Sequence, residues 1–225
     1  MLSQAIGGLL PAAVGVALSP IPIIAVILML GTPQARRNGP AFSIGWIAGL
    51  VVVSVIVLVV AHGASNPDSA ASDGVNWLQV GLGVLFFALA AKQWRTRPKP
   101  GETPEMPKWM ESVDHFTPSK SLGLGVALSA ANPKNLALTL AATASIAQAG
   151  LSTADSAIAV AVFVAIASIT VVGSTLFYVV APTRAAAPLA SMKVFMTDHS
   201  NVIMMVVLLV LGAKLLGSGF GAVTN

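Results

Sequence analysis

Apolar residues along this chain come in long uninterrupted runs, covering roughly 5–30, 41–62, 75–95, 121–147, 156–181 and 199–219. An α-helix rises 1.5 Å per residue, so about 20 apolar residues cross a hydrocarbon core of about 30 Å. Every run reaches that length. The pattern predicts an all-α polytopic membrane protein with six transmembrane helices joined by five loops. The opening run, MLSQAIGGLLPAAVG, has no basic segment before it and no small-residue cleavage site after it, so it reads as a retained helix.

Composition agrees with this reading. The chain is 56% hydrophobic and 9% charged, against about 25% charged in soluble domains. There are no cysteines, which excludes disulfides, thiol relays and thiolate metal sites. His62, His115 and His199 form no metal-binding pair, and no cofactor or metal is expected. The net charge of +4 fits loops facing an anionic leaflet better than nucleic acid, which is not an expected partner.

The loop charges predict an orientation. Arg36 and Arg37 lie in the first loop, and Lys92, Arg95, Arg97, Lys99, Lys108 and Lys120 in or beside the third. Arg184 and Lys193 lie in the fifth. The second loop has Asp68 and Asp73, the fourth has Asp155, and neither has a base. The positive-inside rule then places the odd loops in the cytoplasm and both termini outside. The third loop carries Pro98, Pro100, Pro104 and Pro107. It ends in PKWMESVDHFTPSKS, where Trp109, Met110, Val113 and Phe116 recur at near-helical spacing, as in an amphipathic helix on the cytoplasmic interface.

An internal repeat organises the spans. Gly15-Val16-Ala17-Leu18-Ser19 recurs as Gly125-Val126-Ala127-Leu128-Ser129, and prolines follow each copy: Pro20 and Pro22 in the first, Pro133 in the second. Each copy opens a three-helix half, residues 1–95 and 120–225, with a linker at 96–119. Three spans per half is an odd number, so the halves run in opposite directions, a 3+3 inverted repeat with proline-broken helices 1 and 4. Proline lacks an N–H and frees carbonyls at a break. In a bilayer such groups persist only where protein or a cavity satisfies them.

Lys134 is the key candidate, because an unpaired ammonium near the bilayer centre costs about 2.5–3.5 kcal/mol and its stem is too short to snorkel out from there. Asn132 and Asn135 supply donors and acceptors beside it. Thr139, Thr143 and Ser145 extend a polar stripe, as do Ser168, Thr170, Ser174 and Thr175 in the fifth span. Back-bonding to their own helices is the alternative role for all of these. The candidate substrate-binding set is Lys134, Asn132, Pro133, Asn135, Ser19, Pro20, Pro22 and Thr139. Gly7, Gly8, Gly15, Gly45 and Gly49 read as points of close helix approach. Asp198 and His199 read as an N-cap of the sixth span, and Asp155 as a cap of the fifth. No carboxylate falls near the midplane, so the usual proton carrier is missing.

The segment PKWMESVDHFTPSKSLGLGVALSAANPKNLAL, residues 107–138, resembles the hallmark of the peptidoglycolipid-addressing (sulfolipid-addressing) family of actinobacteria, within the LysE exporter superfamily. The resemblance implies an inner-membrane transporter, not an enzyme, that moves envelope glycolipids or peptidoglycolipids outward. It implies weight for Asn132, Pro133 and Lys134 and for the Ser19–Pro22 break. The implied partners are membrane lipids, an anionic or glycosylated lipid substrate, a lipid-synthesis or larger export complex, and a second copy of the chain. Two alternatives are export of a small solute such as an amino acid, and a scaffold for an export complex. Lys134 without a facing acid favours an anionic or sugar headgroup and would repel free lysine. A scaffold has no need of a buried charge in a broken helix.

Overall fold

The computed structural model describes residues 1–63, 77–97 and 108–221. The second-loop aspartates and the four linker prolines lie outside the described residues. All the regular elements described are helical. They are α1 (Leu2–Ala17), α2 (Pro20–Leu30), α3 (Ala35–Gly63), α4 (Trp77–Arg95), a 3₁₀ helix (Lys108–His115), α5 (Pro118–Val126), a π-helical turn (Ala127–Ala131), α6 (Pro133–Gln148), α7 (Thr153–Val180) and α8 (Pro182–Gly221).

Among the described residues three helices are long and apolar enough to cross a membrane: Ala35–Ala61, Thr153–Val180 and Pro182–Phe220. A fourth span forms if α1 and α2, bent by 50° at their break, are taken together. The remaining expected spans do not meet that measure among the described residues. The segment at 121–147 is divided into α5, the π turn and α6, and none of its pieces reaches 18 residues.

The chain divides into two compact units. The first comprises Met1–His62 and Pro104–Asp198, the second Gly63–Thr103 and His199–Asn225. The core of the first holds Leu9 and Val16 of α1, Ile23 and Met29 of α2, Phe42, Trp46 and Leu50 of α3, Leu138 of α6 and Phe163 of α7, all buried. In the second, α4 and the C-terminal part of α8 pack closely. A Cβ on Gly83 would stand 2.7 Å from Leu216, and one on Gly212 would stand 3.0 Å from Phe87.

Local chemistry explains the helix ends. The residue before a proline avoids the helical region, and Ser19 and Asn132 are extended at φ −73°, ψ 110° and φ −68°, ψ 119°. Pro20 and Pro133 then occupy the first helical position, where a missing N–H costs nothing. Gly150 takes φ +59° just beyond α6, the left-handed conformation that closes many helices. Ser152 caps α7 by accepting from the Asp155 N–H at 3.1 Å, and donates to the Asp155 carboxylate at 3.0 Å. The cap is therefore Ser152, with Asp155 supporting it from the first turn.

Several expectations are corrected. Asp198 and His199 do not open a helix: α8 is continuous from Pro182 to Gly221, because Ala, Leu, Met and Lys carry the intervening stretch in a helical conformation. The linker segment Lys108–His115 is a 3₁₀ helix in place of an α-helix, with Met110 and Val113 buried. The Asn38 amide holds its end by donating to the Phe116 carbonyl at 2.8 Å. Gly7 and Gly8 are not approach points, since a Cβ on either would meet open space. Gly45 and Gly49 are: a Cβ on Gly45 would strike the Leu122 backbone, and one on Gly49 the Ser129 hydroxyl. Gly125 is reciprocal, since its Cβ would stand 2.8 Å from the Trp46 backbone nitrogen. α3 and α5 thus touch backbone to backbone.

Candidate functional site

The two helix breaks meet. Lys134, 6% exposed, donates from Nζ to Ser19 Oγ at 3.0 Å. Ser19 Oγ donates to Asn135 Oδ1 at 2.6 Å, and Asn135 Nδ2 donates to the Leu128 carbonyl at 2.9 Å. Residues more than a hundred positions apart thus share one buried chain of hydrogen bonds.

The prolines account for the freedom of the Ser19 hydroxyl. Ser19 stands at the N-cap of α2 but makes no side-chain cap bond. Pro20 and Pro22 have no N–H, so two of the first three helical positions present no donor to cap. Ile23 N–H reaches the Ser19 carbonyl at 3.4 Å. With little to cap, the hydroxyl turns across to Lys134 and Asn135. In the other break Asn132 keeps the cap role, its Oδ1 accepting from Lys134 N–H at 3.1 Å.

Freed carbonyls are satisfied from outside their own helices. Thr170 Oγ1 of α7 donates to the Ala17 carbonyl at 2.6 Å, and Asn135 serves Leu128. On the far side of the second break Asn132 N–H bonds the Ala127 carbonyl at 3.1 Å, the five-residue step of a π turn. That turn matters for the repeat. The Gly-Val-Ala-Leu-Ser copies pair Ser19 with Ser129, but the structural equivalents at the breaks are Ser19 and Asn132. The second half carries three extra residues there, and Ser129 instead back-bonds to the Gly125 carbonyl at 2.9 Å.

Each predicted residue has a place. Ser19, Lys134 and Asn135 form the cluster. Asn132, half-buried, caps α6, and Pro133 beside it is exposed. Pro20 and Pro22 are buried in the first turn of α2. Thr139 is fully buried, and its hydroxyl proton goes to the Asn135 carbonyl at 2.8 Å. Thr143 repeats this on Thr139 at 2.6 Å and Ser145 on Ala141 at 2.9 Å, so this stripe back-bonds to its own helix. Thr175 pairs with Ser43 at 2.9 Å.

Sequence reading missed the stripe on α3. Asn38, Phe42, Trp46, Leu50 and Ser54 are each fully buried at four-residue spacing, a signal readable in the sequence. Asn38 Oδ1, Trp46 Nε1, Ser54 Oγ and, on α7, Ser168 Oγ have no hydrogen-bond partner among the described residues. Buried polar atoms of this kind call for water.

Electrostatically, the cluster is a cation with no counter-charge among the described residues. Ser19 Oγ is the one partner of the Lys134 ammonium among the described residues, leaving two of its three donors unused. Cavities accompany it in the first unit. One of about 840 Å³ lies between α3 and α7. Another, about 410 Å³, is bordered by Asp114, Tyr178 and Lys193 over Leu28, Leu189 and Ala190. Among the described residues no cluster of His, Asp and Glu could hold a metal ion.

Residues 9–221 match the family model described as Sap, sulfolipid-1-addressing protein. No curated protein and no solved structure matches the chain.

Proposed function

We propose, because the chain belongs to the Sap, sulfolipid-1-addressing protein, family, that it is a transporter carrying an amphiphilic envelope lipid outward across the bacterial inner membrane. The observation that carries this reading is the buried Lys134 ammonium at the meeting of two broken helices, with Ser19 as its described partner and donors to spare. An anionic or glycosylated headgroup supplies the acceptors those donors need. Ser19 and Asn135 complete the polar side of the site, and tails remain among apolar helices. The work is binding and translocation, with no enzymatic step and no cofactor. Membrane lipids, a lipid-synthesis or larger export complex and a second copy of the chain are the partners.

Six spans in a 3+3 inverted repeat underlie this mechanism, as in the LysE exporter superfamily. The near-equal dihedral angles of Ser19 and Asn132, each followed by a proline that starts a half-helix, support it. In this arrangement the odd loops are cytoplasmic and both termini extracytoplasmic. A reporter fused after Asn225 is then active only on the outer side, and cytoplasmic activity would overturn the arrangement. For function, a strain carrying only Lys134→Met is compared with wild type for surface lipid and for membrane abundance of the protein. Loss of surface lipid at normal abundance is expected. Normal surface lipid at normal abundance would make Lys134 structural and refute the reading.

A further inference from the structure

α3 and α7 run antiparallel, and a hydrogen bond pins them together at one end. Ser43 and Thr175 hydroxyls lie 2.9 Å apart, and a Cβ on Gly39 would sit 3.5 Å from Thr175. Away from this pin the helices part. Val51, Val55 and Val59 of α3 face Ala157, Ala161 and Ala165 of α7 across an open volume of about 840 Å³. That lies within the roughly 300–1,000 Å³ of ordinary ligand sites.

The alanines are informative. Small residues four apart on a membrane helix normally let a second helix come close. Here all three are exposed and face the open volume. The lining is apolar along its length, and its polar residues, Thr153 and Ser156, stand together at the α7 start. Both walls belong to helices long and apolar enough to cross a membrane, so the surrounding medium is acyl chain rather than water. The Val51 and Ala165 end lies nearer both breaks. Ala165 lies five residues, about 7.5 Å along the helix, from Thr170, which holds the Ala17 carbonyl. Val51 is two residues from Gly49, whose Cβ would meet Ser129.

We infer that this crevice between α3 and α7 binds one acyl tail of a lipid. The inference rests on the lipid reading above and adds the place of the tail, between Val51–Val59 of α3 and Thr153–Ala165 of α7.

The test uses the full chain in nanodiscs of phosphatidylglycerol and phosphatidylethanolamine. A fraction of the phosphatidylglycerol carries a photoreactive diazirine on one acyl chain, and adducts are mapped by mass spectrometry. Expected are adducts concentrated on 51–59 and 153–165, well above those at Ile169 and Leu176, which are exposed on α7. Ala161→Phe fills the crevice and should lower its adducts about tenfold while leaving those at Ile169 and Leu176 unchanged. Ala157→Leu should act in the same direction if Ala161→Phe does not accumulate. Equal adduct yields at crevice and control positions would overturn the inference. So would crevice adducts indifferent to the filling variants. Because no transport is measured, the inference can fail while the export reading stands. Normal export in Lys134→Met would leave the tail site untouched.

Discussion

The Ser19 hydroxyl serves two buried partners at once, so Ser19→Ala and Lys134→Met should differ sharply although both delete the same contact. Lys134→Met removes a hydrogen bond from a charged donor, worth about 1.5–3 kcal/mol, but also relieves the burial of the charge, about 2.5–3.5 kcal/mol. Nothing is stranded, because Ser19 Oγ still donates to Asn135 Oδ1 at 2.6 Å. The net effect is between roughly zero and 2 kcal/mol of stabilisation. Ser19→Ala strands both the ammonium and Asn135 Oδ1, each nearly inaccessible, at about 1–3 kcal/mol apiece. A loss of roughly 2–6 kcal/mol follows, and at about 2–4 °C per kcal/mol for a chain of this size the midpoint falls by several degrees or more. The double variant strands only Asn135, so the cycle should show a coupling of about 1–3 kcal/mol. The assay is unfolding of the four proteins in one detergent or nanodisc, followed by a tryptophan signal. Additivity within about 0.5 kcal/mol would mean the 3.0 Å contact carries no energy. A Lys134→Met variant as unstable as Ser19→Ala would refute the account of the buried charge.

Three further outcomes follow from the packing. Gly125→Val should prevent accumulation in the membrane, at a cost above about 3 kcal/mol, because its Cβ meets only the α3 backbone; wild-type abundance and midpoint would contradict this. Thr170→Val should lower the unfolding midpoint by the equivalent of about 1–2 kcal/mol by taking the donor from the Ala17 carbonyl, and Thr170→Ser should restore it. Gly7→Ala should raise stability by about 0.5–1 kcal/mol, since its Cβ meets nothing within 4 Å; a lower midpoint would mean the glycine is needed there.

The breaks were legible in the sequence because proline acts locally. Pro20 and Pro133 dictate the conformation of the residue before them without reference to the rest of the chain. The meeting of Ser19 with Lys134 was legible too, because a buried ammonium requires partners and the repeat pointed to the other break. The register at that meeting was not. Identical lead-in residues aligned Ser19 with Ser129, while a π turn, which depends on how α5 packs against α3, moved the equivalence to Asn132. Loop five was misread for a related reason. Charge and polarity mark where a chain leaves lipid, not where a helix ends, and the residues 182–198 are mostly good helix formers. The roles of Thr139 and Thr143 stayed open until the structure showed their protons committed to their own helix. The same residue types serve as liners or as back-bonded packing, and only geometry distinguishes the two.

The Lys134–Ser19–Asn135–Leu128 line also has a polarity. Its first member can only donate and its last can only accept, so each proton between them points the same way. The Asn135 amide therefore has a single orientation, and Ser19 cannot reverse its hydroxyl without losing both neighbours at once. Aligned dipoles of this kind strengthen one another. An anion arriving at the spare donors of Lys134 would change the polarisation of the whole line as far as the carbonyl of Leu128, in the π turn. Occupancy of one side chain would then register as a change in hydrogen bonding at a backbone carbonyl three hydrogen bonds away, measurable in principle as a frequency shift of a single isotope-labelled carbonyl.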